Sequence, residues 1–312
     1  MPSAAPADLD PAEFHTLNSE FYRADPADVI DHRLWMLAAF IVDDAVAAGS
    51  PEEMRVSREP VPTIDERLQF VSLESTLILH QAAETFLRLC VAHWSDAPCP
   101  WFEMARLRQP RVFPARVREI ERTLDTDETL DQLLAVVSWT AEYSAITTVP
   151  ALPHERWESH REGLRELARE CCTLLLQGAE VYNAGKHGLA ILPSTKGMSL
   201  DDGALISVNG PSLTVIERQT HDGEARWAKV VHWVQYKRAV AMTSLLASAI
   251  RSLWECGKNR RVGGGDLSHL RFFSIDEVNQ VRTISAPESG VMVSSMSEVL
   301  FDLEHPMFEP TN

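Results

Sequence analysis

The sequence predicts a mostly helical α+β fold: a helical bundle through about residue 188, then a small antiparallel β-meander with a covering C-terminal helix. Three observations carry this. Apolar residues recur at helical spacing in several long stretches before Gly188. After it come short β-leaning runs, Leu189 to Leu192, Ala204 to Val208, Leu213 to Gln219 and Ala225 to Gln235, punctuated by Asn209-Gly210 and Asp222-Gly223, dipeptides that favour tight hairpins. Helical spacing then returns from Tyr236 to Gly257. The expected organisation is an arm over 1–26, a bundle over 27–188 and a sheet with its helix over 189–312, the last either a separate domain or an extension of the same core.

The first ~25 residues are rich in Pro, Ala and Asp, which suits a loose arm. Asp28 to Ala48 reads as a helix, with Ile30, Leu34, Leu37, Ile41 and Ala45 on one face and Gly49 as its stop. Asp43-Asp44 fits a solvated face more simply than a metal-binding acid pair. After the polar connection from Gly49 to Pro62, Thr63 and Glu66 form a capping box, and the next helix runs to about Trp94, roughly 45 Å. Its apolar stripe of Leu68, Val71, Ile78, Ala82, Leu89 and Ala92 is interrupted by Glu74, His80 and Glu84, with Arg88 one turn beyond. His80 and Glu84 at i and i+4 suit either two metal ligands or an imidazole–carboxylate pair. No Glu-x-x-His repeat accompanies them, which favours the hydrogen-bonded pair. Glu84 with Arg88 reads as a helix ion pair.

Ser95 to Pro114 reads as a turn-rich crossing in which Pro98 and Pro100 stiffen an elbow around Cys99. Helical patterning resumes from Ala115 to Leu124, and Asp125 with Glu128 suggests a cap for a helix to about Trp139, with Leu130, Leu133, Leu134 and Val137 as its core face. Pro153 opens a long helix that is expected to continue unbroken to Gly188. In the last strand of the meander Trp227 and Trp233 read as core or cover residues rather than as a stacking platform for bases. The helix that follows ends at Lys258, Arg260 and Arg261, the densest basic spot in the chain, which suits a phosphate or RNA backbone and equally suits a helix C-terminus. Gly263 to Gly265 reads as a hinge, and the apolar pieces beyond Leu267 are expected to pack back on the bundle or sheet.

Composition bounds the function. The chain has 312 residues, 29 Lys and Arg against 45 Asp and Glu, and a formal charge of −16. Such a balance opposes non-specific attraction to nucleic acid or anionic membrane, so a nucleic-acid ligand would need a local basic patch. The five cysteines have no framework spacing, and Cys171 and Cys172 are adjacent on a helix. Reduced core thiols in a reducing compartment are expected. Met1 to Asp10 has no basic and apolar leader pattern, and no apolar run approaches the roughly 20 residues of a membrane span. The expectation is a cytoplasmic protein with no membrane partner, no cofactor and no metal.

The stretch from Glu180 to Gly188 carries the chemistry. Continued at about 100° per residue, Glu180, Asn183 and His187 share one helical face, and traced backwards that face runs into Leu176, Cys172 and Ala168. A carboxylate, an amide and an imidazole are therefore expected to point into the bundle. Gly178 and Gly185 would leave a flank where another helix approaches closely.

Tyr182-Asn183-Ala184-Gly185-Lys186-His187-Gly188, at the end of a long bundle helix, resembles the signature region of the HEPN proteins (higher eukaryotes and prokaryotes nucleotide-binding). The resemblance implies a compact helical bundle, often dimeric, and in many members a ribonuclease of toxin, phage-defence or stress systems. Asn183 and His187 match that family's polar residue and histidine. Tyr182 stands where its arginine belongs, which removes a fork of phosphate donors. The resemblance therefore implies first a non-catalytic bundle that binds a nucleotide, RNA or partner. Its alternative is metal-independent cleavage of RNA through the neighbouring 2′-hydroxyl, with His187 as acid or base, Lys186 offsetting phosphate charge, Asn183 orienting and Glu180 fixing the imidazole tautomer. In a homodimer two such helix ends would build one composite site. A further alternative is a metal hydrolase using His80, Glu84, Glu180 and His187.

Overall fold

A computed structural model describes residues 10–44, 46, 61–95, 97–138, 153–186, 191–194, 198–199, 207–208, 210–221, 224–264, 270–284 and 295–302. The fold is mostly helical α+β, as the sequence predicts. Helices α1 (Pro11–Phe21), α2 (Pro26–Val42), α3 (Ile64–Trp94), α4 (Pro100–Arg106), α5 (Val112–Thr123), α6 (Asp127–Val137), α7 (His154–Gln177) and α8 (Ala179–Lys186) precede the strands. Strands β1 (Ile191–Ser194), β2 (Met198–Ser199), β3 (Ser207–Val208), β4 (Ser212–His221) and β5 (Glu224–Trp233) follow, then α9 (Tyr236–Arg261), α10 (Ile275–Thr283) and β6 (Ser295–Asp302). Among the described residues no helix is long and apolar enough to cross a membrane.

Several expectations change in detail. The stretch expected to be a loose arm holds a helix from Pro11. Asp10 accepts from the Ala12 and Glu13 amides, Glu13 answers with a bond to the Asp10 amide, and Pro11 suits the first turn. The crossing between Ser95 and Pro114 also contains a helix: Cys99 is extended, Pro100 occupies the first turn, and α4 runs seven residues. Thr126, not Asp125, caps α6. The capping box of α3 forms as expected, with the Thr63 amide 2.8 Å from the Glu66 carboxylate.

The chain divides into two compact units, each discontinuous in sequence. The first comprises 1–34, 78–178 and 240–284. In it α7 packs on α5, α6 and α10, and α1 packs on α4. Leu130, Leu133 and Leu134 of α6 and Leu164, Leu167 and Ala168 of α7 are fully or almost fully buried, the outcome their helical spacing predicts. Backbone approaches are close here: a Cβ on Gly163 would lie 2.7 Å from the Phe273 carbonyl oxygen, so α7 needs a glycine where the irregular segment entering α10 crosses it.

The second unit comprises 35–77, 179–239 and 285–312. Its four-stranded antiparallel sheet has the order β1-β4-β5-β6. Leu213 and Val215 pair with His232 and Val230, and their apolar face is covered by Val181 and Ala184 of α8 and by Leu73 of α3. α8 therefore falls in the same compact unit as the strands, ahead of the boundary expected at residue 188. The apolar surface of α8 is buried against strands, so the helix groups with the sheet although it follows the bundle helices in sequence. The Ala204 to Val208 run is corrected: its last two residues pair with β2 in a separate two-stranded ladder, and Asn209-Gly210 does not join it to β4 as a hairpin. Gly210 has φ +147°, a conformation that glycine alone adopts without strain. The Asp222-Gly223 turn lies outside the described residues, while His221 pairs with Glu224 across it. The fourth strand, β6, takes up Val299 to Phe301, one of the apolar pieces expected to pack back.

Candidate functional site

The helix expected to run unbroken from Pro153 to Gly188 stops at Gly178, and this changes what the signature residues face. Gly178 caps α7 with its N–H on the Leu174 carbonyl, 2.9 Å away. A Cβ there would sit 2.8 Å from that same carbonyl and 3.1 Å from the His80 imidazole carbon. The His80 ring fills the space a side chain would need. Beyond the break α8 begins at Ala179, and the buried stripe of Ala168 and Cys172 does not extend to Asn183, which is exposed.

On α8 the buried positions are Val181, 8% exposed, and Gly185, with Ala184 half-buried. A Cβ on Gly185 would lie 2.8 Å from a Leu77 methyl, so the expected close approach is real and is made to α3. Asn183 is exposed, which corrects the expectation that it points inward, and Lys186 is exposed as well. Tyr182 is half-buried, and the Lys186 ammonium lies 5.1 Å from the centre of its ring, a cation–π contact. The Glu180 side chain and all of His187 lie outside the described residues. The amide, the phenol and the ammonium thus form a surface group on one short helix.

The other sequence candidates are placed differently. His80 is 2% exposed, and burial lowers its pKa to about 4, so its imidazole is neutral near pH 7. Glu84 bonds to Arg88, 2.8 Å from its Nε. Arg88 also donates to the Leu107 carbonyl and lies 4.0 Å over the Phe113 ring, so it fastens the α4–α5 connection to α3. At the end of α9, Arg261 donates to the Ala97 carbonyl at 2.6 Å and Arg260 donates to the Ala135 carbonyl. Both arginines, read from the sequence either as phosphate ligands or as ordinary helix-end charges, donate to backbone carbonyls, while Lys258 is half-buried. Among the described residues no group of three or more His, Cys, Asp or Glu could hold a metal ion. The five cysteines are free and buried, and burial pushes the Cys90, Cys171 and Cys172 thiols up, the last to about 12.

Two histidines, His160 buried and His93 half-buried, escaped the sequence reading. His93 Nδ1 donates to the Leu89 carbonyl at 2.7 Å, so Nε2 accepts from the Tyr22 hydroxyl at 2.6 Å. This bond ties the end of α1 to α3. His160 Nδ1 lies 3.0 Å from the Phe273 amide nitrogen and 3.3 Å from the Phe273 carbonyl oxygen, and Nε2 lies 2.7 Å from Ser138 Oγ. Both ring nitrogens are engaged, so the imidazole ties α7 to the end of α6 and to the segment before α10. Nothing in the local spacing of His93 or His160 signals these partners, which lie 71 and 113 residues away.

A concave region was also missed. A cleft of about 620 Å³ opens between the end of α3, α4, α5 and the start of α6, all within the first unit. Beside it lies a shallower depression of about 380 Å³, and the two share Arg106, Arg116 and Glu119. Its residues come from four helices, and the sequence carries no motif that gathers them.

Comparison with protein-family models, with curated proteins and with solved structures finds no match for this chain.

Proposed function

We propose that the chain is a non-catalytic, HEPN-like binding protein that takes a nucleotide or the end of an RNA strand on the exposed side of α8. The observation that carries this reading is the outward trio on that helix: Asn183 and Lys186 exposed, with Tyr182 beneath the lysine. A phenol offers a face for a base to stack on, an ammonium offsets phosphate charge, and an amide reads a base edge or a phosphate oxygen. Tyr182 supplies no fork of donors in place of the arginine of active family members, and a surface position leaves water around any bound phosphodiester. Both favour binding over cleavage.

Labelled single-stranded RNA, incubated with the full chain with and without chelator and beside Lys186→Ala and His187→Ala, tests the reading. Intact RNA retained by the protein is the expected result, with Lys186→Ala weakening retention about threefold to tenfold and added salt weakening it further. Cleavage that survives chelator and disappears in His187→Ala would replace binding with ribonuclease chemistry. Cleavage lost with chelator would point to a metal hydrolase, and no retention at all would remove nucleic acid as the ligand.

A further inference from the structure

We propose that the cleft among α3, α4, α5 and α6 binds a small phosphomonoester carrying a flat ring, of nucleoside monophosphate size, with its phosphate on Arg106, Arg111 and Arg116 and its ring against Trp94. This site is separate from α8 and does not depend on the reading given for that helix.

Volume is the first argument. About 620 Å³ falls within the usual range of small-ligand sites, and the adjoining 380 Å³ extends it at one end. Charge is the second. The shallow end is lined by Arg106, Arg111, Arg116 and Glu119, in a chain whose formal charge is −16, and the Glu103 that pairs with Arg106 lines the adjoining cleft, so the local excess of positive charge comes from Arg111. Arg106 is held by the Glu103 carboxylate, itself 3% exposed, through its Nε at 2.8 Å and a second bond from its Nη2. Arg116 is held by Glu119 at 2.5 Å. Both guanidiniums already have a carboxylate partner, so a bound phosphate would share their remaining donors with Glu103 and Glu119. Arg111 is exposed and has no acidic partner within ion-pair distance among the described residues, so it brings the uncompensated charge that a phosphate would neutralise.

The deep end suits the rest of the molecule. The Trp94 indole donates from Nε1 to the Gln132 carbonyl at 3.0 Å, which fixes its ring at the cleft wall. Val91 and Ile120, 5% and 3% exposed, complete an apolar surface, and a ring stacked on an immobilised indole keeps its contact area without ordering a side chain.

Isothermal titration of the full chain with AMP, UMP, adenosine and inorganic phosphate tests the proposal. AMP or UMP binds, and both inorganic phosphate and adenosine bind at least about tenfold more weakly, because each engages one end of the cleft. Arg111→Ala weakens nucleotide binding about tenfold with an unchanged melting temperature, since that side chain is exposed. Trp94→Leu weakens nucleotide binding about tenfold and leaves phosphate binding as it was. Arg122→Ala, which removes the same charge from an exposed position on α5 outside the cleft, has no effect. No binding of either nucleotide at millimolar concentration overturns the proposal, as does binding that Arg111→Ala and Trp94→Leu both leave intact or that Arg122→Ala reduces as much as Arg111→Ala does.

Discussion

Gly257 sits over the Tyr22–His93 hydrogen bond, and its missing side chain is what lets that bond form beneath α9. A Cβ at this position would lie 2.5 Å from His93 Nε2 and 2.6 Å from the Tyr22 hydroxyl. Neither atom is the loose end of a mobile side chain. His93 is also held by the Leu89 carbonyl, and Tyr22 packs edge-on against Phe21 and Trp254 with ring centres 5.0 and 4.9 Å away. Gly257→Ala must therefore displace the pair or the helix, and the expected loss is about 1–3 kcal/mol despite the better helix propensity of alanine. Urea unfolding checks it. A variant as stable as the parent would mean that the pair yields without loss.

At the scale of one element, α8 shows how far periodicity carries and where it stops. The stripes of α3, α6, α7 and α9 were legible because each is long enough for its apolar spacing to fix a face, and the buried Met242, Leu246, Ile250 and Leu253 of α9 are the ones that spacing selects. The capping box at Thr63 was legible because its chemistry is local. The face of α8 was not, because a helical phase holds only while the helix does, and the space beside Gly178, where the helix breaks, is taken by the His80 ring, which is distant in sequence. The same limit hid His93, His160 and the cleft, whose partners meet only in three dimensions. The phase of α8 makes a paired prediction. Val181→Ala opens a hole against Leu213, Val215 and Val230 and is expected to cost about 1–3 kcal/mol. Asn183→Ala, two positions on and exposed, changes stability by less than about 0.5 kcal/mol. Equal losses in the two variants, read by denaturant titration, would place the amide back in the interior.

Over the whole molecule, three histidines set how stability follows pH. His80, His93 and His160 each have a pKa lowered to about 4, with burial the largest cause in every case. Arg261 and Arg260 push His93 further down, while the Leu89 and Phe273 backbone bonds of His93 and His160 act in the other direction. In the unfolded chain the same side chains titrate near 6.5. Between pH 4 and 6.5 the unfolded state therefore binds more protons than the folded one, and stability must rise with pH across that window. The contribution is complete above about pH 6.5 and is lost as pH falls through the window towards 4. Asp25, whose pKa burial raises, works in the opposite sense at the acid end and offsets a part of the loss. With on the order of 1–3 kcal/mol from each histidine, acidification from pH 7 to pH 4.5 removes much of the net stability of an ordinary domain. Urea unfolding at half-unit steps from pH 7 to pH 4.5 measures the slope, which should correspond to uptake of about two to three protons near pH 5. A flat profile over that range would mean that at least two of these imidazoles open to water and charge without unfolding the helices they join.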